Sequence, residues 1–331
     1  MAETNNNLII NENLELNKNT IGFSSENFPQ FSENIEKVSH KLCNFSNTYE
    51  IISSEFIMEI SLQIQLGKLF LTTRALEFLS GNTVEITKNV KLTKEFAMPN
   101  SPFEKSLLKL KTDEIDFSFE KQKNTHHIKC VLTDEKYGKC EIDLTLLDGK
   151  TKDCLCVESF EVPSQFAINS HKLGMVTGGF AKFGSLFFNF STKKNIGNFN
   201  FERSVLPKKY FQIKASGSGF DEQNTFGFTF VIDEFSTHSN GILLDDKWTE
   251  IGKISVEFNQ QDLMENWKIE NSQLKLDMTP FSITKFERKA LFSKVTVNRI
   301  YGYFSGKFIL NDKTEKKVSN IITYIDIINK I

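Results

Sequence analysis

The chain has 331 residues with 32 Phe, 6 Tyr, 2 Trp, 17 Gly, 6 Pro and 5 Cys, and a formal net charge of -2. Apolar residues at 39% and charged residues at 25% support a sizeable folded core and exclude a globally disordered or collagen-like chain. The near balance of 40 basic against 42 acidic residues offers no field of one sign to draw in a nucleic acid or an anionic membrane. At roughly 150 residues per domain the length predicts one large or two ordinary domains.

Residues 1–21 are Asn-rich with thin periodicity and are expected to form a flexible N-terminal arm. The first residues carry neither a basic stretch nor an apolar one of secretory type, and no run of about 18 apolar residues predicts a membrane span. Phe31 to Leu42 has a weak helical period. Strand-type alternation then takes over: Met58, Ile60, Leu62, Ile64 and Leu66 interleave with Glu59, Ser61, Gln63 and Gln65, the period of a half-buried strand. Ile115, Phe117 and Phe119 repeat the pattern, as do Cys140, Ile142, Leu144 and Leu146. The Cys130 and Cys140 segments are read as one hairpin turning at Asp134–Gly138, and Asp148-Gly149 as a second hairpin turn.

Further along, 186–190, 226–232, 254–258, 274–278, 290–297 and 301–310 read as strands, with Gly302 and Gly306 as bends in a curved sheet. Ser216 to Gly219 reads as a turn at a strand end, and Gln260 to Trp267 as a short helix. There is no alternation of strand and helix to suggest a doubly wound or TIM-type fold. Short strands at roughly 8–12-residue spacing predict an all-β barrel or sandwich, and the length predicts two.

The residues bearing chemistry form no metal or nucleotide signature. His126 and His127 point to opposite faces of an extended strand, Cys154-Leu155-Cys156 is too tight for a zinc knuckle, and neither HExxH nor paired CxxC occurs. The Gly-rich segments at 174–179 and 217–219 lack the Walker Lys-Ser/Thr, and no nucleophile elbow has the required spacing. No cofactor or metal is therefore expected. Pro207-Lys208-Lys209-Tyr210-Phe211 is too short a basic-aromatic run for a nucleic-acid surface. The odd number of cysteines without a secretory signal predicts reduced thiols and a cytoplasmic location. Glu158 stands between apolar flanks. In a dry interior its carboxyl would be pushed toward the protonated form and serve as a general acid, or it is a paired rim residue.

The order of landmarks resembles the DUF2804 family from about Gly22 to Ile331, and through it the lipocalin-like AttH and carotenoid 1,2-hydratase superfamily. Val157-Glu158-Ser159 through Pro163, the His171-Lys172-Leu173-Gly174 turn, Asn200 through Pro207, Asn240, Asn266-Trp267, Met278-Thr279-Pro280 and Tyr301 through Gly306 carry the resemblance. Where the family pattern reads Asp-x-x-Arg-Gly-x-x-Pro, this chain keeps Arg203 and Pro207 but has Asn200 and Ser204, and Ser239 replaces an acidic residue before Asn240.

The resemblance implies two lipocalin-like β domains, 22–203 and 204–331, around an apolar cavity that takes a lipid, isoprenoid or polyketide-like molecule. Lys172, Arg203, Tyr210, Asn240, Trp267 and Tyr301 would hold that ligand. Three readings follow. The first is a binding module for a hydrophobic small molecule. The second is a cofactor-independent hydratase, isomerase or cyclase using Glu158 or Glu202 as acid; if the residues replaced at 200, 204 and 239 carry proton transfer in relatives, their loss here leaves only the first reading, binding. The third is an interaction protein whose Phe residues fill the interior.

Overall fold

The computed structural model describes residues 8–31, 43–93, 96–149, 152–162, 164–190, 195–221, 224–290 and 293–331. The described residues are all-β apart from one 3-10 turn at Lys18–Thr20. The first set of strands is β1 (Gly22–Ser24), β2 (Cys43–Ile52), β3 (Phe56–Gln65), β4 (Lys68–Glu77), β5 (Thr83–Val90), β6 (Ser106–Lys111), β7 (Ile115–Lys121), β8 (Thr125–Asp134), β9 (Gly138–Leu147), β10 (Cys154–Ser159), β11 (Phe166–Phe183), β12 (Leu186–Phe190) and β13 (Ile196–Val205). They form one antiparallel sheet of order β5-β4-β3-β2-β13-β11-β9-β8-β7-β6, with β1, β10 and β12 attached along β11 or its neighbour.

The second set is β14 (Tyr210–Asp221), β15 (Asn224–Ile232), β16 (Gly241–Leu244), β17 (Lys247–Glu250), β18 (Ser255–Glu257), β19 (Trp267–Glu270), β20 (Leu274–Ala290), β21 (Ser293–Ile309) and β22 (Glu315–Lys330). Their order is β17-β16-β15-β14-β22-β21-β20-β19-β18. The chain changes sheet between Val205 and Tyr210. The result is a pair of curled, lipocalin-like β units.

Alternation explains most of this. In β2, Phe45, Tyr49 and Ile51 face the first core, while Ser46, Thr48 and Glu50 face the other way. Phe117, Phe119, Phe199 and Phe201 fill the interior of the first unit. Tyr49 stacks on Phe199 at 4.6 Å. In the second unit Phe228, Phe230, Phe304, Phe308 and Trp267 do the same, with Trp267 stacked 4.1 Å from Phe258. These are packed interiors, so the Phe excess is spent on filling the units.

Several local expectations need correction. Gln260–Trp267 is a run of turns leading into β19, because Trp267 is drawn into the core as a strand residue and not as part of a helix face. Asp148-Gly149 is not a hairpin, since β9 pairs with β8 and β11 while β10 pairs with β1 and β11. Ser216–Gly219 lies inside β14, where glycines let neighbouring side chains close over the strand. The 290–297 run is split between the end of β20 and the start of β21, and β21 continues through Gly302 and Gly306 to Ile309. The register shift between Phe304 and Gly306 places a bulge at the predicted bend. The expected helix at Phe31–Leu42 falls, past Phe31, outside the described residues.

From Leu8 the N-terminal stretch is packed: Leu8 bridges Gln30, and Ile9 and Ile10 are buried in the first core. In β11, Gly179 has φ +122° and a Cβ there would stand 2.0 Å from the Asp143 carbonyl oxygen. Only glycine allows β9 and β11 to approach so closely.

Candidate functional site

Between the two sheets lies a cavity of about 130 Å³, similar in size to an engineered core cavity of ~150 Å³ that admits benzene. Its walls are the faces of β2, β3, β4, β11 and β13 on one side and of β14, β15, β20, β21 and β22 on the other. The expectation of an apolar cavity is corrected here. Phe201, Phe230, Phe286, Val295, Val297 and Ile328 supply greasy surface, but they share the wall with eight charged residues: Glu50, Glu59, Glu202, Asp326, Arg74, Lys214, Arg288 and Arg299. The strand faces that read as solvated in the sequence are turned toward the partner sheet.

The charges are ordered by short, buried contacts. Arg299 forks onto Asp326 through Nε and Nη2, both at 2.7 Å, and its Nη1 reaches Glu59 at 2.5 Å. Its guanidinium lies 3.5 Å from the ring centre of Tyr324. Arg74 donates to Glu59 at 2.8 Å and pairs with Glu85 at 3.3 Å. Burial pushes the Glu59 carboxyl up, but Arg299 and Arg74 outweigh it and hold the group down at about 2.

Glu50 has the opposite environment. It is buried, and among the described residues no cation touches it. Its Oε1 accepts from Tyr324 Oη and from Asn200 Nδ2 at 3.1 Å, and its Oε2 has no hydrogen-bond partner among the described residues. Burial pushes its carboxyl up to about 7, and the nearby charge of Glu59 adds to the shift. Tyr324 Oη also lies 3.1 Å from Glu59 Oε2, so one phenol links a carboxyl that ionises near neutrality to one that stays ionised.

A second chain of contacts reaches Glu50 through Asn200. His171 Nδ1 is 2.7 Å from Asn200 Oδ1, and His171 Nε2 is 3.2 Å from Thr229 Oγ1. An amide oxygen only accepts, so Nδ1 carries the proton and Nε2 accepts from the threonine. Burial pulls the imidazole down to about 4, keeping it neutral at pH 7. Further along the same wall Glu202 accepts from Asn44 at 2.6 Å and Ser204 at 2.8 Å, and it pairs across the cavity with Lys214 at 3.2 Å.

Of the residues expected from sequence, Glu202 and Tyr210 line the cavity. Glu158 does not. It is buried at the other junction of the two units, accepting from the Thr237 N–H and Ser239 Oγ, each at 2.9 Å, and from the His238 N–H. Arg203 is buried against Phe201 at 3.9 Å and donates to the carbonyls of Ser46, Glu202 and Pro99. Lys172 pairs with Asp148 and Asp153, each at 3.1 Å. Asn240 accepts from the Val231 N–H and donates to the Gly252 carbonyl. Trp267 donates to the Leu263 carbonyl inside the second core. Tyr301 packs with Ile52, Ile57 and Leu76 across the junction. These six hold structure in place. Sequence reasoning missed Glu50, Glu59, Arg74, Arg288, Arg299 and Tyr324, each of which sits at a "polar" alternate position of a strand.

Glu158→Gln is expected to lower stability by about 1–3 kcal/mol, because an amide NH₂ would meet donors that now find a carboxylate. Urea denaturation checks the loss, and molecules bound in the cavity should be held as before.

Among the described residues no group of three or more His, Cys, Asp or Glu is arranged to hold a metal. All five cysteines are free and buried. No described helix is long and apolar enough to cross a membrane.

A comparison with curated proteins finds no match to this chain. Solved structures similar to it include CghA (7% identity, 88% of this chain and 89% of that one, TM-score 0.57) and a Nitrosomonas europaea protein described as an AttH (8% identity, 92% and 98%, TM-score 0.56). Kievitone hydratase from Nectria haematococca is a third (8% identity, 94% and 98%, TM-score 0.52). At these identities the likeness speaks for the fold. The family model for DUF2804, a domain of unknown function, matches residues 2–327, and the chain belongs to that family.

Proposed function

We propose that the inter-sheet cavity binds a small, partly apolar molecule and that Glu50 exchanges a proton with it, as in hydration, isomerisation or cyclisation without a cofactor. One observation carries this reading. Two carboxyls on the same wall, Glu50 and Glu59, are driven apart, to about 7 and about 2. A group that ionises near neutrality can both give and take a proton at physiological pH. The Oε2 oxygen of Glu50, left without a partner among the described residues, is the atom assigned to the transfer.

Tyr324 and Asn200 would orient the carboxyl through Oε1, and Arg299 with Arg74 would keep Glu59 ionised. The apolar side of the wall would hold the hydrocarbon part of the substrate and exclude water. The small volume favours a compact molecule, or the reacting end of a longer one. The shared fold of kievitone hydratase, named as a hydratase, supports the reaction class. Five free thiols fit a reducing, cytoplasmic setting.

The test begins with organic extraction of the purified protein and mass spectrometry of what is released. The released molecule is then incubated with fresh protein in D₂O and in H₂¹⁸O. Deuterium or ¹⁸O gain by the wild type and its loss in Glu50→Gln is the expected result. A molecule recovered unaltered from the wild type would make the protein a binder and end the catalytic reading.

A further inference from the structure

We infer that the cavity takes an anionic molecule and that Arg288 is the residue that recognises its carboxylate. This inference rests on the reading of the cavity as a ligand site. Among the described residues Arg74, Arg299 and Lys214 each have a carboxylate partner within 3.3 Å. Arg288 lines the same cavity and has no carboxylate partner among the described residues. Neutral groups hold it instead. Its Nη1 donates to Gln63 and, at 3.0 Å, to Gln65, and its Nη2 is 3.4 Å from Thr72 Oγ1. The ring of Phe70 lies 4.6 Å from the guanidinium carbon.

These contacts fix the plane of the guanidinium and spend its donors unevenly. Both Nη1 hydrogens are engaged and one on Nη2, which leaves Nε–H and one Nη2–H without a described partner. These two donors remain to meet the oxygens of a carboxylate. Leaving a guanidinium in a low-dielectric place without a counterion is costly. Burial accordingly weakens its hold on its proton, as does the neighbouring charge of Arg74.

The wider charge pattern agrees. Four cations and four carboxylates line the cavity. When Glu50 is protonated one positive charge is in excess, and a bound carboxylate restores balance. The two roles also separate in space by sequence neighbours: Arg288 is held by β3 and β4 side chains, whereas Glu50 is held by Tyr324 and Asn200.

The experiment uses the full chain and a set of matched pairs: benzoate and benzamide, hexanoate and hexanamide, cinnamate and cinnamamide. Binding is measured by calorimetry and by thermal shift at pH 7. The carboxylates are expected to bind the wild type at least tenfold more tightly than their amides. Arg288→Gln should abolish that preference, and Arg288→Lys should restore it only in part, because an ammonium cannot form the two-bond fork. Glu50→Gln should keep the preference, so failure of the proton-transfer reading leaves this one standing. Amides that bind as well as carboxylates, a preference that survives in Arg288→Gln, or no binding by any member would each overturn the assignment. Circular dichroism and melting of Arg288→Gln without ligand separate loss of recognition from loss of fold.

Discussion

Arg299→Met is expected to lower stability by about 3–5 kcal/mol at pH 7, the usual consequence of removing one partner from a buried ion network. Three charge-assisted bonds disappear together: the fork onto Asp326 and the bond to Glu59. Two buried carboxylates then face each other's charge with Arg74 alone left beside Glu59. The contact of the guanidinium with the Tyr324 ring is lost as well. Arg299→Lys should recover little, since a point charge cannot satisfy Asp326 at two oxygens and Glu59 at a third.

The pH dependence gives the prediction a second readout. In the wild type, burial raises the Glu59 carboxyl while Arg299 and Arg74 outweigh that and hold it at about 2, so its contribution is present above the ordinary carboxylate range and lost as pH falls toward 2. Without Arg299 the group rises, takes up a proton earlier and escapes its unpaired charge. The deficit of the variant should therefore shrink as pH falls from 7 toward 4. Urea denaturation followed by the fluorescence of Trp248 and Trp267 measures it. A deficit below about 1 kcal/mol at pH 7, the value of a surface pair, would mean that the network is solvated.

Strand existence was legible because each sheet has one greasy face. Met58, Ile60, Leu62 and Ile64 alternate with polar residues and all four enter the first core. What alternation cannot say is where the polar face points. Glu59 and Ser61 read as solvated, yet both are buried, because a second sheet covers them. The same holds for Glu50 on β2 and for Arg299 and Asp326 on β21 and β22. The cavity is built from residues far apart in the chain, Glu50 and Tyr324 being 274 positions apart, and no local spacing reports such a meeting.

Glu158 drew notice because its flanks are apolar. Burial is real there, but backbone N–H groups and Ser239 Oγ satisfy the carboxylate, so it ties the two units together at that junction. Asn200, which the family pattern would make an aspartate, turns out to donate its amide hydrogen to Glu50. An acid at 200 would compete with Glu50 for the proton. The replacement moves the candidate acid to another strand as readily as it removes one.

Glu50→Gln is expected to cut turnover of the extracted ligand by about 10²–10⁴-fold, the ordinary worth of a positioned proton donor, while making the protein more stable above neutrality. The sign follows from linkage. Burial raises the Glu50 carboxyl from 4.5 to about 7, so between those values the folded chain holds a proton that the unfolded chain has released. Its contribution is complete below pH 4.5, declines as pH rises through 7, and is gone above that. At about 1.4 kcal/mol per unit the span is about 3 kcal/mol.

A glutamine keeps the shape, accepts from Tyr324 and Asn200 through its oxygen, and never ionises. The variant minus wild-type stability should thus climb by about 3 kcal/mol between pH 4.5 and pH 8. Taking that difference matters, because His171, lowered by burial to about 4, titrates in the other direction: its contribution is present above pH 6.5 and lost as pH falls toward 4. Glu59, Asp326 and Arg299 also bear on Glu50 and are common to both proteins. Urea titrations at half-unit pH steps give the curve. A difference that stays flat from 4.5 to 8 would mean that Glu50 ionises like an exposed carboxyl, and the proton-transfer role would fall with it, whatever the cavity binds.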